Sequence, residues 1–140
     1  MKRYIVFAVF VFILAGCGSP RFEIGDNVSS QETFSIAYFF PATENAKNMK
    51  VEIPVVMVFT ENIDVDSALK GLVIEKTGPG QKQNVKPRCT YIETEMMLQC
   101  LPESLRWELK SSYSVKIKDV KSKDGKKTLD KEYSFAFTTI

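Results

Sequence analysis

Histidine is missing from all 140 residues of the sequence. That removes the commonest general base and the commonest metal ligand, so histidine-dependent hydrolases and most zinc sites are excluded. A serine nucleophile would lack its usual base, and nothing in the spacing of the 17 acidic residues marks two of them as a catalytic carboxylate pair. Long apolar runs are also missing. The longest reaches from Tyr4 to Ala15 and stops at Gly16, short of the about 20 residues that span a bilayer. Strong charge of one sign is missing too: setting aside Lys2 and Arg3 leaves 17 basic residues against 17 acidic ones. A neutral chain gives no electrostatic reason to expect nucleic acid or an anionic surface as partner.

What is present begins with Met1, Lys2 and Arg3, a cationic start followed by an uncharged apolar stretch, the layout of a secretory signal. It ends on Leu14, Ala15, Gly16 and Cys17, which resemble the lipobox of bacterial lipoproteins. The resemblance implies removal of residues 1–16 and lipid on the thiol of Cys17, hence a membrane anchor in the cell envelope. Gly18 follows the cysteine in place of the aspartate that retains many such proteins in the inner membrane, which favours the outer membrane if the organism is Gram-negative. The chain has three cysteines, so lipidation of Cys17 leaves Cys89 and Cys100 as a pair in an oxidising compartment.

Residues 17–33 are polar, with Pro, Gly and Ser, and read as a lipidated tether. From 34 to 140 come short runs rich in Val, Ile, Phe, Tyr and Thr: Phe34 to Phe39, Ile53 to Phe59, Leu72 to Glu75, Cys89 to Ile92, Met96 to Leu101, Tyr113 to Val120 and Tyr133 to Thr138. No stretch keeps a helical period for three turns. About seven strands in roughly a hundred residues suit an all-β, immunoglobulin-like sandwich. Val55, Met57 and Phe59 share one face, as do Tyr133, Phe135 and Phe137, so these are the expected core. Gly78-Pro79-Gly80 and Asp124-Gly125 are turn signals. A phosphate-binding loop would need more glycines and a helix after them.

A hairpin centred on Thr94 and Glu95 sets Tyr91 opposite Leu98 and Cys89 opposite Cys100. Directly opposed residues of an antiparallel pair lie within disulfide range, and Cys89, Tyr91, Met96, Leu98 and Cys100 then share an apolar face. A structural bridge is expected over a redox-active one, which usually has closely spaced cysteines at a helix start.

Residues 37–140 resemble a bacterial Ig-like domain of the SbsA Ig-like family of surface-layer proteins. The residues that carry the likeness are Pro41, the stretch from Val55 to Asp64 around Phe59-Thr60-Glu61, Leu101-Pro102, Leu105, Tyr113-Ser114-Val115, Asp124-Gly125 and the closing Phe135-Ala136-Phe137-Thr138-Thr139. Between Pro102 and Tyr113 the family's Pro-Gly turn is replaced by Arg106 to Ser112, a connection expected to be longer or partly helical. The resemblance implies a scaffold or interaction module, often serial in the family, without chemistry or cofactor of its own. Its partner would be another envelope protein or the cell wall.

Three groups of residues are candidate sites. Glu61, Asn62, Asp64 and Asp66 crowd oxygen atoms into one loop, and calcium prefers oxygen ligands. Asp and Asn are also ordinary turn residues, and the spacing is not that of an EF-hand. Lys116, Lys118, Lys121, Lys123, Lys126 and Lys127 form a basic strip that reads either as a contact for anionic groups or as a solvated strand face. Trp107 reads either as an exposed interaction anchor or as a lid over the core. The expected protein is therefore a lipid-anchored, non-catalytic interaction module; a small-ligand or calcium-binding lipoprotein is the alternative.

Overall fold

Side chains along β2 (Val55–Phe59) alternate strictly between buried and half-buried, and the same alternation marks β6 (Met97–Pro102) and β7 (Ser112–Ile117). Such a period of two puts one face of each strand into a core. In the computed structural model, which describes residues 32–43 and 46–140, eight strands carry out this pattern. The others are β1 (Ile36–Phe40), β3 (Leu72–Gly78), β4 (Gln81–Val85), β5 (Pro87–Ile92) and β8 (Tyr133–Thr138), with one helix, α1 (Val65–Gly71), between β2 and β3. The expected leader, lipidation at Cys17 and the tether through residue 31 lie outside the described residues.

The strands form two antiparallel four-stranded sheets, the first in the order β1-β2-β6-β5 and the second in the order β4-β3-β7-β8. Thr33–Ile140 make one compact unit. Val55, Met57, Phe59, Leu98 and Cys100 from the first sheet meet Leu72, Ile74, Val115, Ile117 and Phe137 from the second, all of them buried. This is the face-to-face packing of a β-sandwich; of the expected core Val55, Met57, Phe59 and Phe137 are buried, while Tyr133 and Phe135 are half-buried and pack against it. Phe39 of β1 stacks on Phe135 of β8 at 4.9 Å between ring centres, linking the two sheets at one open edge.

Pairing of β5 with β6 sets Cys89 opposite Cys100 and Tyr91 opposite Leu98, as the hairpin reading requires. The two cysteines are bridged. Met96 departs from that reading: it sits at φ 52° after the 3-10 turn Glu93–Glu95, so it closes the loop and Met97 takes the first paired position.

Other elements were not foreseen in this form. β4, with the sequence QKQNV, has almost no apolar signal because it is an exposed edge strand. It is placed by the Pro79-Gly80 turn, where Gly80 adopts φ +86°, and by pairing with β3. The helix α1 is only two turns long, below the window in which a helical period is visible. Its one fully buried residue is Ala68, and Asp66 at its start and Lys70 at its end suit the helix dipole. The next strand after α1 is reached through Gly71, whose carbonyl accepts from the Lys118 N–H at 3.2 Å. A Cβ at Gly71 would lie 1.9 Å from the Lys118 carbonyl oxygen, so only glycine permits this approach. Finally, β7 ends at Ile117, and the segment from Arg106 to Ser111 is a series of turns with no helix. The Asp124-Gly125 turn does form, with Gly125 at φ +75°, but it closes a single bridge between Lys121 and Thr128 and not a long hairpin.

Candidate functional site

Three regions have a claim to function: the loop of acidic residues after β2 with the lysines facing it, the connection that carries Trp107, and the outward face of the first sheet. The acidic loop is held by backbone pairing. Ile63 bridges Ser122, the Asp64 N–H donates to the Lys121 carbonyl at 2.9 Å, and the Lys123 N–H donates to the Asn62 carbonyl at 2.8 Å. Tyr91 on β5 donates its hydroxyl proton to Asn62 Oδ1 at 2.5 Å and accepts from the Ile63 N–H at 3.4 Å. Burial raises the Tyr91 hydroxyl pKa above the usual phenol range, so it stays a proton donor.

This architecture separates the calcium candidates. Glu61 turns to Lys127 at 2.8 Å. Asn62 is occupied by Tyr91, and Asp64 is the residue before α1 with Asp66 in its first turn. Asp64 and Asp66 line an open cleft of about 350 Å³ beside α1, but Lys70, Lys118 and Lys121 line it too. With Asp119 the cleft is lined by three carboxylate residues and three lysines, a charge balance that gives a divalent cation little to gain. Among the described residues no three acidic or cysteine side chains come together in a way that could hold a metal ion. The sequence spacing suggested a ligand set, and the fold does not assemble it.

The lysine strip is broken up in the same way. Lys123 pairs with Glu93 of the 3-10 turn, whose hydrogen bond and charge raise the ammonium's pKa, and Lys127 pairs with Glu61. Asp124, in the turn between them, accepts from the Lys126 N–H at 2.9 Å and the Ser122 hydroxyl at 2.7 Å, and these bonds hold its carboxyl below the usual range. These groups order a turn; they do not present one continuous basic surface.

Trp107 is 2 % exposed, so it is no surface anchor. Its ring meets Tyr113 and Phe137 edge-on, at 4.9 and 5.0 Å between centres, and its indole N–H donates to the Ile53 carbonyl at 2.8 Å. It closes one end of the sandwich as the lid reading expected. Beside it runs a second open cleft, of about 320 Å³, whose charged lining is largely paired internally. Lys76 bonds Glu108, Lys86 lies 3.3 Å from Glu103, and Arg106 reaches out to Glu52 at 2.9 Å.

The outward face of the first sheet is the region that candidate-residue reasoning missed. Register places Tyr38 and Phe40 of β1, Val56 and Val58 of β2, Met97 and Leu101 of β6, and Ile92 of β5 on that one side. A signal for it was present: Val55 to Phe59 is apolar at every position, where a strand with one wet face should alternate.

Two antiparallel sheets packed face to face and closed by an aromatic lid define an immunoglobulin-like β-sandwich. The chain belongs to the bacterial Ig-like domain family, whose pattern matches residues 30–139. Solved structures share the fold at low identity. PcoC, a methionine-rich copper resistance protein from Escherichia coli, is 15% identical with a TM-score of 0.59 over 77% of this chain and 99% of that one. The N-terminal part of the bacterial S-layer protein SbsC is 16% identical, TM-score 0.53, over 76% of this chain and 23% of that one. Escherichia coli alpha-2-macroglobulin is 19% identical, TM-score 0.54, over 79% of this chain and 6% of that one. No curated protein matches by sequence.

Proposed function

We propose that this chain is a lipid-anchored envelope protein that displays one Ig-like domain for interaction with another envelope protein or the cell wall, without catalysis. The observation that carries the reading is the order of parts. A secretory leader ending in Leu14-Ala15-Gly16-Cys17 is followed by a short polar segment and then by a domain of the bacterial Ig-like family. In this reading the acyl group on Cys17 is the anchor; among the described residues no helix is long and apolar enough to cross a membrane. Gly18 favours outer-membrane placement if the cell is Gram-negative. The SbsA-like surface-layer type suggested by the Phe59-Thr60-Glu61 stretch and the closing Phe-Ala-Phe-Thr-Thr is the finer form of the same reading.

The acidic loop gives the calcium-binding alternative little support, since Glu61 pairs with Lys127, Asn62 accepts from Tyr91, and Asp64 and Asp66 share their cleft with Lys70, Lys118 and Lys121. The copper named for PcoC is not carried over either, because low identity carries only the fold. Intact-mass measurement and membrane fractionation of wild type and Cys17→Ala test the anchor. A lipid-sized mass gain and membrane retention, both lost in the variant, are expected. A soluble, unlipidated wild type would overturn the proposal.

A further inference from the structure

Alternation along β3 sends Leu72 and Ile74 into the core, and the same face then carries Lys76. Register places Lys76 between Gln83 of β4 and Tyr113 of β7, so one core-facing row runs Phe137-Tyr113-Lys76-Gln83, from aromatic rings to an ammonium and an amide. A fold breaks its own apolar pattern chiefly where it has a function to serve. Tyr113 is buried and its hydroxyl accepts from the Glu108 N–H at 3.0 Å, yet among the described residues nothing accepts its proton. Buried hydroxyls normally have such a partner. Tyr113 and Lys76 both line the cleft of about 320 Å³ beside Trp107, a volume at the lower end of those that hold small ligands.

The cleft opens where two strands part. β5 and β6 pair as far as Pro87 and Pro102, and the Lys86 carbonyl still accepts from the Glu103 N–H at 2.9 Å. Beyond that bond the connection through Arg106 and Glu108 leaves β4, the edge strand of the second sheet, unpaired on this side. Gly78 and Gln81 close the two-residue turn, so Gln83 and Val85 turn their backbone groups to β3 while Lys82 and Asn84 turn theirs to the open edge. Among the described residues the N–H and C=O of Asn84 have no partner there, and Asn84 lines the cleft.

We propose, resting on the envelope placement above, that this cleft binds the carboxylate end of a short extended peptide, and that the ligand is the peptide of the cell wall. A peptide laid along β4 pairs its backbone with Asn84, as a strand added to a sheet edge does. Its carboxylate then accepts the Tyr113 proton and one ammonium proton of Lys76, which is directly opposite. Charge agrees: Lys76, Lys86 and Arg106 against Glu103 and Glu108 leave the lining one positive charge, matched by one carboxylate. Lys76 bonds Glu108 and Lys86 pairs with Glu103, but these glutamates are 66 % and 65 % exposed, where an ion pair contributes little and exchanges readily. So few bonds hold a ligand weakly, with a dissociation constant of about 0.1–1 mM. Weak binding suits a tethered chain facing a ligand displayed many times over, as wall peptides are, and not a lone tail on a partner protein.

The test titrates the full chain in mild detergent with diacetyl-Lys-D-Ala-D-Ala, a wall-type peptide with one free carboxylate, and with its C-terminal amide, following backbone amide NMR shifts. Saturable shifts centred on Asn84 and Glu108 are expected, with the amide bound about tenfold more weakly. Tyr113→Phe should weaken the acid about fivefold, and Lys76→Met should erase the preference for acid over amide, which a merely structural role would leave in place. Lys116→Met, on the outer face of the second sheet, should bind as wild type does, and native spectra of all three variants show that they fold. No saturable shift by about 10 mM, equal binding of acid and amide by the wild type, or unchanged binding in Tyr113→Phe or Lys76→Met would overturn the proposal. An all-L isomer bound about tenfold more tightly would overturn the wall as ligand and give the cleft a protein tail. A negative titration of lipidated chain overturns the cleft and leaves the anchor standing.

Discussion

Truncating Trp107 to alanine would empty the space beneath the connection from β6 to β7 and leave the Ile53 carbonyl without its indole donor. The ring also supports Tyr113 and Phe137, which stack on each other at 5.2 Å. Deleting a large buried aromatic typically costs about 3–5 kcal/mol, and that loss is expected for Trp107→Ala in urea unfolding monitored by circular dichroism. A change under about 1 kcal/mol would return Trp107 to the surface role. Sequence alone left its role undecided because the neighbours are polar and its partners come from distant strands. The same holds for Asp64 and Asp66: their spacing was visible, but the lysines that share their cleft were not assigned until the fold was known.

At the scale of elements, the β5–β6 hairpin was the most legible part of the chain. Its register follows from two cysteines placed symmetrically about Thr94-Glu95 and from apolar residues at alternate positions, both of which are local facts. The bridge closes a short loop and should contribute about 2–3 kcal/mol. Replacing Cys89 and Cys100 together by serine is expected to lower the urea midpoint by a corresponding amount while leaving the sheet's far-ultraviolet signal intact. An unchanged midpoint would show that the hairpin is held by packing alone. β4 was illegible for the opposite reason. An edge strand with a wet exterior needs no apolar face, and QKQNV becomes a strand because Pro79-Gly80 folds it back against β3. The helix α1 depends on a partner in the same way, through Ala68 in the core, Gly71 against the Lys118 carbonyl, and the Ser67 hydroxyl accepting from the Lys121 N–H at 2.8 Å.

For the whole molecule, one core joins both sheets, and the last residues close onto the segment after β1: the Thr138 N–H donates to the Ala46 carbonyl at 2.6 Å and the Met49 N–H to the Thr138 carbonyl at 3.0 Å. Unfolding should then be a single cooperative step. The near-ultraviolet signal of Trp107 and the far-ultraviolet signal of the sheets are expected to have coincident transitions in urea, and separated midpoints would deny the single core. The sequence by itself determined the all-β class, the sandwich core, the hairpin register with its cysteine pair, and the likeness to bacterial Ig-like domains. Each of these rests on periodicity or on neighbours close along the chain. Only the tertiary structure decided which acidic and basic residues neutralise one another, where Trp107 points, and that seven apolar side chains from four strands share one outward face. Those facts depend on strand order, which brings together β1, β2, β5 and β6 from across the sequence and cannot be read from any single run of residues.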